Sequence, residues 1–112
     1  RVLPDAPFTT MLREMTGKGL GFTAVADAGQ RVCGIFTDGD LRRLIEQGAD
    51  LRSLHAHQVM HPAPKLVRAD ALAVEAAAVM EKHRITSVLV VDAQGVLVGA
   101  LNSNDLMRAK VI

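Results

Sequence analysis

The segment MTGKGLGFTAVADAGQRVCGIFTDGDLRR, residues 15–43, returns as MEKHRITSVLVVDAQGVLVGALNSNDLMR, residues 80–108, at a constant offset of 65 residues and without a gap. Val25/Val90, Asp27/Asp92, Ala28/Ala93, Gly34/Gly99, Asp40/Asp105, Leu41/Leu106 and Arg43/Arg108 coincide, and the same offset pairs Val2, Asp5 and Ala6 with Val67, Asp70 and Ala71. An internal repeat constrains the fold before any local signal does. The 112 residues amount to one domain by length. A single copy of about 55 residues is marginal by itself. The two halves are therefore expected to share one core, and two similar halves can build paired clefts.

Composition narrows the partners. Basic and acidic residues are interspersed and sum to a net charge of +1, which gives no field for non-specific nucleic-acid binding. With no Trp or Tyr and three Phe, there are no stacking platforms for single strands. The core must come from Val, Leu, Ile, Ala and Met. No apolar run reaches the length of a membrane span, and no signal peptide opens the chain. The lone Cys33 forms no internal disulfide, which points to a reducing, cytoplasmic setting.

Phe8, Met11, Leu12 and Met15 make one helical stripe, which Gly17 and Gly19 are expected to end. Residues 22–26 read as a strand, 27–30 as a turn and 31–36 as a second strand. A helix follows from about Asp38 to Gln47, with Leu41, Leu44 and Ile45 inward and Gly48 as its stop. Residues 49–64 read as a connector broken by Pro62 and Pro64. In the second copy, 65–67 is a short strand and Asp70 an N-cap for a helix over 71–83. SVLVVD and VLVGAL repeat the hairpin, and a last helix covers about 103–110. The fold class is α+β: a β-α-β-β-α unit used twice. The boundaries fall at 1–48 for the first repeat, 49–64 for the connector and lead-in, and 65–112 for the second repeat.

The sharpest local feature is Gly34-Ile35-Phe36-Thr37-Asp38-Gly39-Asp40, where a strand turns into a helix; its counterpart is Gly99-Ala100-Leu101-Asn102-Ser103-Asn104-Asp105. Such a junction offers free N–H groups and the positive end of a helix dipole to an anion. Thr37 adds a hydroxyl. Asp40 would repel a phosphate but can accept from vicinal sugar hydroxyls. A nucleotide would suit this arrangement, with phosphate toward Thr37 and ribose toward Asp40. Thr37-x-x-Asp40 also matches a capping box, which alone would explain both residues.

The hairpin, Gly-x-x-Thr-x-x-Asp and helix, present twice, resemble a tandem CBS-domain pair, or Bateman module, over essentially the whole chain. That resemblance implies two repeats packed through their sheets with pseudo-two-fold symmetry. It also implies adenine-nucleotide contacts at Thr37, Asp38 and Asp40, and at Asn102 and Asp105, with Asn102 standing where the motif has Thr. The base-binding walls would be Gly21, Phe22 and Thr23 in one repeat and Thr86 and Ser87 in the other, the latter beside His83 and Arg84. KGLGFTAVAD, GIFTDGDLRR, MEKHRITSVLVVD and GALNSNDLMRAKVI further resemble the C-terminal regulatory half of bacterial D-arabinose 5-phosphate isomerases. Those enzymes interconvert ribulose and arabinose 5-phosphates for Kdo and lipopolysaccharide synthesis. The resemblance implies a non-catalytic regulatory chain whose parent carries an N-terminal sugar-isomerase (SIS) domain, with the lead-in before Arg1 missing here. It implies AMP, ATP or CMP-Kdo as ligand, no required cofactor, and a homodimer. The alternatives are a purely structural oligomerisation module and the CBS pair of another enzyme, such as IMP dehydrogenase.

His55, His57 and His61 form an H-x-H-x-x-x-H cluster, which reads as a solvated loop before a zinc site. His83 and Arg84 end a helix, where cations suit the dipole. Cys33, in a strand without a nearby base, reads as core. No acid/base pair recurs in both motifs, so no catalytic residue is assigned.

Overall fold

Helix α1 (Phe8–Lys18) forms on the apolar stripe, and Phe8, Met11 and Met15 are all buried. The computed structural model describes residues 1–18, 21–71, 73–85 and 87–102. Gly17 lies within the last turn of α1 instead of ending it, and Gly19 falls outside the described residues. Strands β1 (Phe22–Ala26) and β2 (Val32–Thr37) make an antiparallel hairpin. The Asp27 carboxylate closes its turn by accepting from the Arg31 N–H at 3.0 Å. Helix α2 (Asp38–Glu46) starts where β2 ends. Gly48, at φ 70°, stops it as expected: the N–H groups of Gly48 and Ala49 donate back to the carbonyls of Ile45 and Leu44.

The structure departs from the expected connector. Residues 49–63 fold onto the first repeat as a 3-10 turn (Leu51–Ser53), helix α3 (Ala56–Val59) and strand β3 (His61–Pro62). Ala56 is completely buried with Val2, Phe8, Met11 and Phe36. The backbone is tied back by Phe8 N–H to Leu54 O, Ala56 N–H to Ala6 O and His57 N–H to Pro4 O. Strand β3 pairs with β2 through Gly34↔Pro62 and Ile35↔His61. A proline is tolerated there because β3 is an edge strand. The division between compact units falls between Ala63 and Pro64. The apolar residues Leu51, Leu54, Val59 and Met60, packed against the core, outweigh the two prolines as structural signals.

The second unit runs β4 (Leu66–Arg68), α4 (Ala73–His83), β5 (Ser87–Val91) and β6 (Leu97–Asn102). Asp70 lies in the turn before α4, with its carboxylate 3.2 Å from Arg68 Nη2; Leu72, directly before Ala73, falls outside the described residues. The expected last helix, 103–110, lies outside the described residues. Strand β4 is parallel to β5, and β5 antiparallel to β6.

The offset of 65 holds in three dimensions. The parallel bridge Val2↔Val25 has its counterpart in Val67↔Val90. Phe22↔Thr37 and Val25↔Gly34 become Ser87↔Asn102 and Val90↔Gly99. Helix α1 maps onto α4 end for end. The architecture is α+β, with four α-helices and two three-stranded sheets among the described residues. Each unit carries a buried cluster among its described residues. Val2, Phe8, Met11, Met15, Val25, Phe36 and Ala56 form one; Val67, Ala76, Met80 and Val88 form the other.

Candidate functional site

Asp40 organises the chemistry of the first unit. Its residue is only 6% exposed although it bears a charge. Buried carboxylates need partners, and four donor positions surround this one. Oδ2 accepts from the Thr37 N–H at 2.9 Å and from the Thr37 hydroxyl at 3.0 Å. Oδ1 accepts from Arg43 Nη2 at 2.5 Å and lies 2.6 Å from His61 Nε2. The Thr37 hydroxyl in turn accepts from the Asp40 N–H at 3.2 Å, so the capping box is complete in both directions. Burial pulls the Asp40 carboxyl upward. The bonds from the Thr37 backbone, Arg43 and the Thr37 hydroxyl, with His61 nearby, outweigh it and hold the group below its ordinary value of 3.8.

The expected neighbours are brought together here. Phe22 and Thr23 are buried in β1, where Phe22 pairs with Thr37. Gly21 takes φ 74° and its carbonyl accepts from the Asp38 N–H at 2.9 Å. A Cβ at Gly21 would stand 2.9 Å from Asp38 Oδ2, so this corner needs glycine. The Asp38 and Asp40 N–H groups are thus already bonded within the protein, and Asp38 and Asp40 place two carboxylates in the same helical turn. The junction suits hydroxyl-bearing groups better than a bare phosphate.

In the second unit, Ser87 and Asn102 face each other across β5 and β6. His83 closes α4, and Arg84 follows at φ 53°. The N–H groups of Arg84 and Ile85 donate to the carbonyls of Glu81 and Met80. That is a helix stop with a left-handed residue normally given to glycine. Thr86 and Asp105 lie outside the described residues.

His61 is the site residue the sequence reading did not place. The three connector histidines do not meet at one point: His55 and His57 stack with ring centroids 6.2 Å apart, His57 Nδ1 lies 2.9 Å from the Pro4 carbonyl, and His61 reaches Asp40. Among the described residues no group of three His, Cys, Asp or Glu side chains could hold a metal ion. Cys33, in β2, packs partly buried against the first core cluster. No described helix is long and apolar enough to cross a membrane.

The CBS domain family matches residues 1–47 and 56–112. This chain belongs to the CBS-domain family. It is 49% identical over 112 residues to the arabinose 5-phosphate isomerase KdsD of Pseudomonas aeruginosa, covering 100% of this chain and 34% of that protein. It is 44% identical over 114 residues to KdsD of Escherichia coli K12, covering 98% of this chain and 34% of that protein. The chain therefore spans about a third of the length of these relatives. A CBS domain protein from Pyrobaculum aerophilum, solved in complex with AMP, superposes with a TM-score of 0.85 at 26% identity, over 94% of this chain and 82% of that one.

Proposed function

We propose that this CBS pair is the regulatory, non-catalytic module of an arabinose 5-phosphate isomerase, and that it binds an adenine nucleotide. The AMP complex of the P. aerophilum relative carries the ligand class. The KdsD relatives, of which the chain matches one third, carry the parent enzyme. The seat in the first unit is Thr37, Asp38 and Asp40 with the Gly21–Thr23 backbone, ribose hydroxyls toward Asp40. In the second repeat the same roles fall to Asn102 and Asp105, with Thr86, Ser87, His83 and Arg84 around them. Ligand binding regulates the parent if it favours one of two states of the catalytic part, an N-terminal SIS domain. CMP-Kdo is the competing ligand on the logic of end-product feedback.

Calorimetric titration of AMP, ATP and CMP-Kdo against the purified chain tests this. An adenine nucleotide is expected to bind and, at a hundred times its Kd, to add about 2.7 kcal/mol of stability. Heat from CMP-Kdo alone would move the ligand to the nucleotide sugar. No binding by any of the three would favour a second reading, a structural module in a homodimer. One observation already supports that reading: every acceptor position of Asp40 is occupied by the protein's own donors.

A further inference from the structure

We infer that His61 is an affinity-setting residue of the nucleotide site: its imidazole occupies the Asp40 position that a ribose hydroxyl must take, and the ligand binds by displacing it. The inference rests on the nucleotide reading above and deepens it. A carboxylate offers about four acceptor positions. Two at Oδ2 go to Thr37, one at Oδ1 to Arg43, and His61 Nε2 stands at 2.6 Å beside the last. A nitrogen this close to a carboxylate oxygen must present a proton to it, since two lone pairs would repel. A ribose hydroxyl therefore reaches Asp40 only if one donor leaves.

The four donors are not equally free to go. The Thr37 N–H contact closes the capping box, so its loss would uncap α2, and the Thr37 hydroxyl is held beside Oδ2 because it also accepts from the Asp40 N–H, the other half of that box. Arg43 is a permanent cation on the same helix, three residues on, and keeps its pull on Asp40 in every state. His61 is held differently. Its backbone is fixed by the pairing with Ile35 in β3 and its side chain is 60% exposed, as that of Arg43 is at 59%, so what separates the two is the permanent charge of the arginine. The ring can swing into water by rotation about its own side-chain bonds, with no strand or helix moved. An N–H···O contact is then replaced by an O–H···O bond to the same oxygen.

Gly34 brings the ring within reach. A Cβ there would stand 2.6 Å from the His61 carbonyl and 2.6 Å from Met60 Sδ. Only glycine lets β3 lie this close to β2, and that approach carries His61 to the start of α2.

The test compares AMP with 2′,3′-dideoxy-AMP on the wild type, His61→Ala, His61→Phe and Arg43→Met, by calorimetric titration. His61→Phe keeps a ring in place without the N–H, so the pair of histidine variants separates loss of the donor from loss of bulk. Both histidine variants are expected to bind AMP about three- to tenfold more tightly than the wild type. Their affinity for the dideoxy analogue, which has no hydroxyl to compete for Asp40, is expected to stay unchanged. A merely structural role for His61 would shift both ligands together or weaken both, and either result overturns the inference. A gain seen only with Arg43→Met overturns it in favour of the arginine as the exchanging group. AMP binding that is equal in wild type and both histidine variants removes the exchange but leaves the nucleotide reading standing. Absence of AMP binding in every protein removes that reading, and the exchange with it.

Discussion

At the scale of single residues, Asp40 does two jobs that can be separated by pH. Its carboxylate caps α2 through Thr37 and pairs with Arg43 and His61. Its pKa is depressed in the fold: burial opposes the charge, but the hydrogen bonds outweigh burial. A depressed carboxyl contributes stability above its unfolded value, and that contribution is lost as pH falls through the folded value. The wild type should therefore lose it below the ordinary 3.8. Asp40→Asn, whose amide oxygen can still accept from the Thr37 N–H, is expected to be about 1–2 kcal/mol less stable near neutral pH, because charge-assisted hydrogen bonds become neutral ones. The half-exposed Arg43 adds little beyond that. The gap should narrow as acid protonates the wild-type carboxyl. Urea unfolding of both proteins from neutral pH down through the carboxyl range measures it, and a gap independent of pH would show that the charge contributes nothing. The Thr37/Asp40 pairing was legible in the sequence because a capping box is a local pattern spanning four residues. The approach of His61 was not, because it depends on β2–β3 pairing far along the chain.

At the scale of elements, the two repeats serve as controls for each other. Gly34 and Gly99 occupy the same register opposite Val25 and Val90. Gly34 is pressed by β3, whereas a Cβ at Gly99 would meet nothing within 4 Å among the described residues. Gly34→Ala is expected to cost about 1–3 kcal/mol, since a backbone carbonyl and Met60 must move. Gly99→Ala should stay within about 0.5 kcal/mol of wild type. Thermal or urea unfolding of the pair decides it, and equal effects would mean that β3 does not press on β2. The helix stop after α4 allows a second comparison. Arg84 holds a left-handed conformation at the position where the first repeat has Gly19. Arg84→Gly is expected to gain about 0.5–1 kcal/mol by relieving that backbone. It should also weaken nucleotide binding if the guanidinium contacts phosphate, so stability and affinity would move in opposite directions. Lower stability in Arg84→Gly would contradict the strain. These positions explain what the sequence could and could not disclose. The hairpins and helices were readable from period and turn residues, and Gly48 from its place after α2. Helix α3 was hidden because Pro62 and Pro64 read as breakers, while Leu51, Leu54 and Ala56 carried the packing. Asp70 reads as a cap in the sequence, and its carboxylate lies 3.2 Å from Arg68 Nη2, a partner two residues away that no helix pattern signals.

At the scale of the whole molecule, matching topology is filled by different buried residues among those described. The first unit buries Phe8, Phe36, Met11 and Val25 almost completely, and Phe8 meets Phe36 edge-to-face with ring centroids 5.7 Å apart. The second unit's cluster is Val67, Ala76, Met80 and Val88, without an aromatic ring. Each large apolar side chain buried contributes about 1.5–3 kcal/mol, so losing two phenylalanines from a repeat is a large local deficit. The hairpins differ in the same direction. Gly34, Ile35 and Phe36 are buried in β2, flanked by β3. In β6 no residue is fully buried, and Val98 is 55% exposed. Local opening free energies follow buried contacts. Amides of β4, β5 and β6 should therefore exchange hydrogen faster than those of β1 and β2, by more than tenfold in protection. Native-state exchange on the intact chain, read by NMR along both hairpins, measures this directly. If both hairpins exchange at one rate set by global unfolding, the repeats behave as a single cooperative unit, and the imbalance of their cores has no energetic consequence. If the second hairpin opens first, the repeat with the weaker core is the one whose stability a bound ligand at Asn102 and Ser87 would raise most. A nucleotide that slows exchange in β5 and β6 more than in β1 and β2 would then locate the occupied site in the second unit.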